Sequence, residues 1–118
     1  IAFSPAKRDR IIKTVQNNLQ NIIETLLAHD IDVYLMTVIP ASSPRGGWIF
    51  LWSDEIDTSV AIVNNWIKTI DNDGVYILDP TKKLTNGLKT NKEFSLDTLH
   101  LNETGYGILN NMLKDTFK

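Results

Sequence analysis

Three stretches of the chain carry apolar residues at helical spacing, and two short apolar runs lie between them. The first stretch runs from about Lys7 to Ala28 and has an apolar residue every three or four positions, which is typical of an amphipathic helix. A second helix is predicted from Ser53, a suitable N-cap residue, to about Ile70. A third is predicted from Asn102 to Phe117.

The two apolar runs are predicted to be strands. Residues 33–39, Val-Tyr-Leu-Met-Thr-Val-Ile, are nearly all apolar and rich in β-favouring types, so we expect a strand that is buried on both faces and ends before Pro40. Val75–Leu78 is the second predicted strand. Residues 41–53 are predicted to form a loop, and a polar stretch follows the second strand as far as Ser95.

The order helix, strand, helix, strand, helix favours an α/β fold, with a parallel sheet and helices on its faces. Two strands are too few for such a sheet, because its strands need neighbours along their edges. We therefore expect further strands from an N-terminal segment outside these residues. We also expect that the 118 residues do not fold as an independent unit.

Composition excludes several classes of function. The chain has 118 residues and a net charge of −2, so nothing in its charge favours nucleic acid as a partner. No apolar run is long enough to span a bilayer. The absence of cysteine excludes disulfides and thiolate metal sites, and two histidines do not make a metal site. Without a Gly-rich phosphate loop, no cofactor is predicted. The abundance of Asn, Lys and Ile is typical of AT-rich bacterial genomes, and the compartment stays open.

The segment Asp97-Thr98-Leu99-His100 has the composition of an acid–base pair. A histidine is a good general base near neutral pH, and it works best when a carboxylate holds one ring nitrogen. An aspartate three residues earlier, in a turn before a helix, can provide that carboxylate. Ligands of parallel sheets bind beyond the carboxyl ends of the strands, where this turn is expected. A lone Asp-x-x-His is nevertheless often a solvated turn, so both interpretations stay open.

The longer string Asp-x-x-His-Leu-Asn-x-x-Gly-Tyr, residues 97–106, resembles the last conserved block of the SGNH (GDSL-type) hydrolases. A long helix before the first strand also agrees with that family. The resemblance implies a flavodoxin-like, three-layer α/β/α fold with a parallel sheet, of which residues 1–118 would be the C-terminal portion of a single domain. It further implies a Ser-His-Asp triad in which His100 is the base and Asp97 orients it.

The sequence also departs from that family. It lacks the Gly-Asp-Ser nucleophile block and the Gly and Asn blocks of the oxyanion hole, and no Gly-x-Ser-x-Gly elbow replaces them. Its other serines are better explained as loop or capping residues: Ser42, Ser43, Ser53, Ser59 and Ser95. Residues 1–5 resemble the stretch that follows the family's Asn block. We therefore expect the nucleophile to lie in the N-terminal segment, and this chain alone to be inactive.

Three residues after the first strand are weaker candidates for binding substrate. Trp48 and Trp52 lie on the edge where the site is expected, and they either line an acyl or sugar pocket or pack as a small satellite core. Arg45 is placed to reach a substrate, although such a residue is more often simply solvated. His29, at the end of the first helix, is interpreted as structural because a cation there complements the helix dipole.

Two functions of different classes follow from these observations. The first is a hydrolase acting on carboxylic esters, and acetylated carbohydrates, lysophospholipids and short-chain lipid esters are all open as substrates. The second is a non-catalytic α/β module that binds a partner or ligand. A receiver-like signalling domain fits poorly, because the first strand does not end in an aspartate and Asp79, after the second, is followed by Pro80 without an acidic cluster.

Overall fold

The computed structural model describes residues 4–118 and confirms the α/β class and the order of three long helices and two strands. The first three residues of the stretch that resembles the part following the family's Asn block lie outside this range. The elements in chain order are α1 (Pro5–Ala28), β1 (Val33–Met36), α2 (Trp48–Leu51), α3 (Asp54–Ile67), β2 (Val75–Leu78), α4 (Thr81–Leu84), β3 (Thr85–Asn86), β4 (Lys89–Thr90), a 3-10 turn (Lys92–Phe94) and α5 (Glu103–Thr116).

The strands β1 and β2 pair in parallel, with Val33 opposite Val75 and Met36 opposite Leu78. Because successive side chains of a strand point to opposite faces, each strand contributes to two layers. On one face Leu35 and Ile77 pack against the main hydrophobic cluster, which α1 and α3 supply: Ile12, Val63 and Ile67. These two helices therefore cover the same face of the sheet.

The opposite face of the sheet is aromatic. Tyr34 and Tyr76, directly opposite each other on β1 and β2, stack with 4.8 Å between ring centroids. Phe117, at the C-terminal end of α5, lies 4.8 Å from Tyr34. The end of α5 thus packs on the side of the sheet away from α1 and α3, which gives the expected three layers.

The N-terminal ends of the long helices are capped by side chains. The hydroxyl of Ser53 accepts a hydrogen bond from the backbone N–H of Glu55, and the amide oxygen of Asn102 accepts one from Gly105. Both caps agree with the sequence analysis. Ser4 caps α1 in the same way, immediately before Pro5 at the first helical position.

The prediction of a strand over residues 33–39 is wrong in length, since β1 ends at Met36. The N–H of Thr37 still donates to Leu78 O at 2.9 Å. At Val38, however, the side chain of Asn64 takes both backbone groups: Oδ1 accepts from the N–H and Nδ2 donates to the carbonyl, each at 2.8 Å. A side-chain amide on α3 therefore replaces the next strand partner.

The prediction that this strand is buried on both faces is also wrong, because Tyr34 is 43% exposed and Val38 is 45% exposed.

Within residues 4–118, β1 and β2 pair only with each other, so each keeps one edge without a strand partner. The radius of gyration is 15.6 Å, whereas a compact domain of this length has about 13 Å. No helix in this range is long and apolar enough to cross a bilayer.

Three further differences concern the connections. The predicted loop of residues 41–53 contains the single helical turn α2, which starts after Gly46 in a left-handed conformation (φ 58°). The helix α3 ends at Ile67 rather than Ile70. The polar stretch after β2 contains α4, the β3–β4 hairpin with Gly87 at φ 67°, and the 3-10 turn.

Candidate active site

Asp97 and His100 lie at the tip of a small hairpin, which we call the 95–101 hairpin. Its base is an antiparallel bridge between Ser95 and Leu101, and Leu96 N–H donates to His100 O at 2.9 Å. Leu101 is 5% exposed, so the base is anchored in the interior. At the tip, by contrast, the side chains of Asp97 and His100 are 53% and 65% exposed.

The Asp97 carboxylate holds the histidine ring, as the sequence predicted. Ring atom Nδ1 of His100 is 3.1 Å from Oδ1 and 3.0 Å from Oδ2. The same Oδ1 accepts hydrogen bonds from two backbone N–H groups, those of Leu99 at 2.8 Å and of His100 at 2.7 Å. The turn of the hairpin therefore fixes the carboxylate, and the carboxylate fixes the ring.

These hydrogen bonds lower the pKa of Asp97 and decide which group of the pair donates and which accepts. The backbone N–H of His100, then that of Leu99 and then the His100 ring lower the pKa of Asp97 below its ordinary value, so this residue is ionised at neutral pH. An ionised carboxylate can only accept, which requires the ring proton on Nδ1. In the neutral ring, Nε2 then carries a free lone pair, and this atom has no hydrogen-bond partner within residues 4–118. The arrangement suits a general base.

The hairpin is attached to the carboxyl end of β1 through Thr98. The segment that leaves β1 donates two backbone hydrogen bonds to this residue: Ser42 N–H to the carbonyl at 2.9 Å and Arg45 N–H to the hydroxyl at 3.0 Å. Ser42 and Thr98 are each 2% exposed. The Asp-His pair thus lies at the sheet edge where α/β proteins bind their ligands.

The Asn and Gly of the motif join the hairpin to α5. Asn102 donates from Nδ2 to Glu93 O at 2.8 Å and from its backbone N–H to Phe94 O at 2.9 Å. Gly105 lies so close to the 3-10 turn that an added Cβ would be 2.6 Å from Phe94 O. A side chain at this position would push α5 away from the segment that leads into the hairpin.

Arg45 is bound to its own chain in the described structure. Its Nη1 donates to Leu96 O at 3.3 Å, and Nη2 lies 3.5 Å from the hydroxyl of Ser42. The guanidinium therefore bridges the segment after β1 and the first strand of the 95–101 hairpin. Its Nε is buried and has no partner within residues 4–118.

The two tryptophans have different surroundings. Their rings meet edge to face, 6.0 Å between centroids, but Trp48 is 43% exposed. Trp52 donates from its indole nitrogen to Asp57 Oδ2 at 3.2 Å. The ammonium of Lys89 lies 2.7 Å from the same oxygen and 5.7 Å from the Trp52 ring centroid. Trp52 is thus part of a partly buried cluster around the buried Asp57, which joins α3 to β4.

Several serines that were considered as possible nucleophiles make hydrogen bonds with structural roles. Ser53 is an N-cap, Ser59 donates to Glu55 O at 2.6 Å, and Ser95 donates to Asn91 O at 3.0 Å. Ser42 is buried beneath the hairpin, and no serine of the described chain bonds to His100. His29 is the C-cap of α1, and its Nδ1 lies 2.7 Å from Thr25 O, which agrees with the structural role predicted for it.

Some residues of the site were not found from the sequence. Thr98 stands inside the Asp-x-x-His motif without being singled out, although its β-branched, polar side chain between two site residues was an available signal. The contact between Asp57 and Lys89 had no local signal, because 32 residues separate them.

No protein-family model and no characterised protein matches the sequence. The solved structures that are similar to it include the following three. A provisionally named platelet activating factor from Streptococcus pneumonia has a TM-score of 0.69 and 23% sequence identity, and the alignment covers 94% of this chain and 54% of that one. A GDSL-like lipase from Bacteroides thetaiotaomicron has a TM-score of 0.64 and 18% identity, with 92% of this chain and 51% of that one covered. A provisionally named acylhydrolase from Bacteroides fragilis has a TM-score of 0.63 and 19% identity, with 98% of this chain and 52% of that one covered. The chain spans about half the length of each. It therefore has the α/β fold of these GDSL-like lipase and acylhydrolase structures, over about half of their extent.

Proposed function

We propose that this chain is the C-terminal part of an SGNH-type ester hydrolase, and that His100 and Asp97 are the base and acid of its Ser-His-Asp triad. The observation that carries the proposal is the hydrogen bond between the Asp97 carboxylate and Nδ1 of His100, which leaves Nε2 free. The likeness in fold to a GDSL-like lipase and an acylhydrolase supports the same class of reaction.

In this mechanism His100 takes up a proton and gives it back once in each half of the reaction, acylation and deacylation. Nε2 of His100 accepts the proton of the serine hydroxyl as the serine oxygen attacks the ester carbonyl, and it then returns the proton to the leaving alcohol oxygen. A water molecule repeats the sequence on the acyl-serine and releases the acid. Asp97 stabilises the doubly protonated ring in both halves, because its carboxylate is ionised and already in contact with Nδ1.

The serine and the oxyanion hole belong, in this proposal, to an N-terminal segment of the same protein. Two features of the described residues support such a partner. The strands β1 and β2 each have one edge without a strand partner, and several large apolar side chains on α1 are exposed: Ile11, Val15 and Ile22. A segment that pairs with a free strand edge would also cover apolar surface beside it.

The substrate is a carboxylic ester of an acylated carbohydrate or lipid, with no cofactor, nucleic acid or membrane span involved. Trp48 is the better of the two tryptophans for lining the substrate pocket, because this residue is 43% exposed. Trp52 and Arg45 would act beside it only with the parts of their side chains that their internal hydrogen bonds leave accessible.

The test is His100→Ala in the complete protein, assayed with p-nitrophenyl acetate. We expect a loss of at least about 10²-fold in kcat, the contribution of a general base. The matched control is His29→Ala, which removes the second histidine of the sequence and should leave turnover unchanged. A fluorophosphonate probe should label the serine of the wild type much faster than that of His100→Ala. Near-normal turnover and labelling in His100→Ala would leave the binding module as the better explanation.

A further inference from the structure

Thr98 is buried between two exposed residues of the hairpin tip. It is 2% exposed, whereas the side chains of Asp97 and His100 are more than half exposed. Both of its oxygens are used: the carbonyl accepts from Ser42 N–H and the hydroxyl accepts from Arg45 N–H. The middle of the acid–base turn is therefore bonded, at two points, to the segment that leaves β1.

This attachment fixes the position of the turn relative to the sheet, which the hydrogen bonds of Asp97 do not. The hydrogen bonds that the Asp97 carboxylate accepts fix the carboxylate and the ring relative to each other, since all of them lie within one four-residue turn. They do not fix the turn relative to the sheet. The Ser95–Leu101 bridge and the Leu96 to His100 hydrogen bond join the two arms of the hairpin to each other, not to the sheet. Besides Thr98, only the long 3.3 Å hydrogen bond from Arg45 to Leu96 O links the described hairpin tip to the segment after β1.

We propose that Thr98 is a positioning residue, which holds the Asp97–His100 turn at a fixed height above the carboxyl end of β1. The inference rests on the proposed function, because its purpose is to place Nε2 of His100 opposite the nucleophilic serine. Proton transfer needs the two atoms within hydrogen-bond reach, and a displacement of about 1 Å can cost about 10²-fold in rate.

The diagnostic variant is Thr98→Val in the complete enzyme. Valine keeps the volume and β-branching of threonine but removes the hydroxyl, so Arg45 N–H loses its acceptor while the bond from Ser42 to the carbonyl survives. We expect kcat to fall by about 10²-fold with little change in KM, because substrate contacts are not altered. Thr98→Ser keeps the hydroxyl and should restore most of kcat.

The matched control is Thr37→Val. Thr37 is buried to the same extent, 2% exposed, and its hydroxyl donates a single hydrogen bond to Asp79 Oδ1 at 3.0 Å. It has no hydrogen bond to the 95–101 hairpin. We expect this variant to lose a similar amount of thermal stability while keeping kcat, which separates a loss of position from a general loss of stability.

Nitrogen NMR of the imidazole gives a second readout that does not depend on turnover. In the wild type the ring proton should reside on Nδ1, and in Thr98→Val that tautomer should persist, because Asp97 still holds the ring. Normal kcat in Thr98→Val, or an equal loss of kcat in Thr37→Val, would overturn the positioning role. If Thr98→Val does not fold, Thr98→Ala must show the same selective loss of kcat for the inference to stand. If His100→Ala is also active, the proposed function itself fails, and the two failures are distinguishable.

Discussion

Two atoms of His100, its backbone nitrogen and ring Nδ1, bond to one oxygen of Asp97, Oδ1, at 2.7 and 3.1 Å. The backbone N–H of Leu99 donates to the same oxygen. In a variant at position 97, the atom that takes the place of Oδ1 must therefore also be a hydrogen-bond acceptor. The second carboxylate oxygen, Oδ2, faces the ring alone, 3.0 Å from Nδ1.

This geometry predicts that Asp97→Asn inverts the tautomer of His100. The amide oxygen should occupy the Oδ1 position, where the backbone N–H groups require an acceptor, and the amide NH₂ should then face Nδ1. Nδ1 should then accept from the amide at 3.0 Å rather than donate to the amide oxygen at 3.1 Å, which the two backbone N–H groups already occupy. The ring proton would move to Nε2, and the ring could not take a proton from serine. We expect kcat to fall by up to about 10⁴-fold with the fold retained.

The measurements are kcat and the nitrogen shifts of the imidazole. A backbone carbonyl can sometimes accept from Nδ1 in place of the carboxylate, and the loss would then be smaller. An Asp97→Asn enzyme with its proton still on Nδ1 and near-normal kcat would show that Asp97 does not set the tautomer.

Two glycines of α5 provide a matched pair for a stability experiment. Gly105→Ala would place a Cβ 2.6 Å from Phe94 O, a backbone atom that cannot move without shifting the segment before the hairpin. Gly107, on the same helix, has nothing within 4 Å of an added Cβ. We expect Gly105→Ala to destabilise by about 1–3 kcal/mol and to lower kcat, and Gly107→Ala to stabilise by about 0.5–1 kcal/mol. Denaturant titration of both variants measures this, and similar values would contradict the close approach at Gly105.

Stability should fall in acid partly through Asp79. Burial alone would raise the pKa of this carboxyl, but hydrogen bonds from Thr81 and Thr37 and the charge of Lys68 outweigh it, and the pKa lies below its ordinary value of 3.8. The unfolded chain therefore takes up this proton at a higher pH than the folded one. The stabilisation is present above about pH 4 and is lost as the pH falls further.

We expect Asp79→Asn to be less stable than the wild type at pH 7 and to approach it at pH 3, because only the wild type has a charge to lose. Urea unfolding of the complete protein at several pH values measures the difference. The same free-energy gap at both pH values would exclude this role for the charge.

The tryptophans should respond differently to truncation. Trp52→Ala removes a donor to the buried Asp57 and the ring beside Lys89, so we expect a loss of about 2 kcal/mol in stability. Trp48→Ala should change acyl or alcohol preference with little effect on Tm, because Trp48 is 43% exposed and so buries less surface than a core residue. Unchanged selectivity in Trp48→Ala together with a Tm loss of several degrees would place Trp48 in the core instead.

The features that the sequence predicted are those set by neighbours in the chain. The caps at Ser53 and Asn102 involve partners two or three residues ahead, and the contact between Asp97 and His100 also spans three residues. Helical spacing located α1, α3 and α5 because each buries one face. The resemblance of residues 97–106 to a known block added the fold, since two strands alone do not define one.

The features that the sequence did not predict depend on distant partners. β1 ends early because Asn64, 26 residues away, takes both backbone groups of Val38. Thr98 is held by Arg45 across 53 residues, so its β-branched, polar side chain marked it as unusual for a turn but did not identify its partner. The exposure of Tyr34 was missed for a related reason: an apolar strand predicts burial, but it does not say which element covers each face.

The 95–101 hairpin has a consequence for how a catalytic centre could assemble from two halves of a fold. Its acid and base come from one short, internally bonded piece of chain, so their mutual orientation is settled without any contribution from the nucleophile's segment. Docking that segment would need to establish only the separation between the serine oxygen and Nε2. The orientational entropy of the acid–base pair is lost during folding of the hairpin and does not weigh against the association step. Because we expect the 118 residues not to fold alone, a split protein of this design should regain activity only when its two pieces fold together, and the acid–base geometry then needs no separate adjustment.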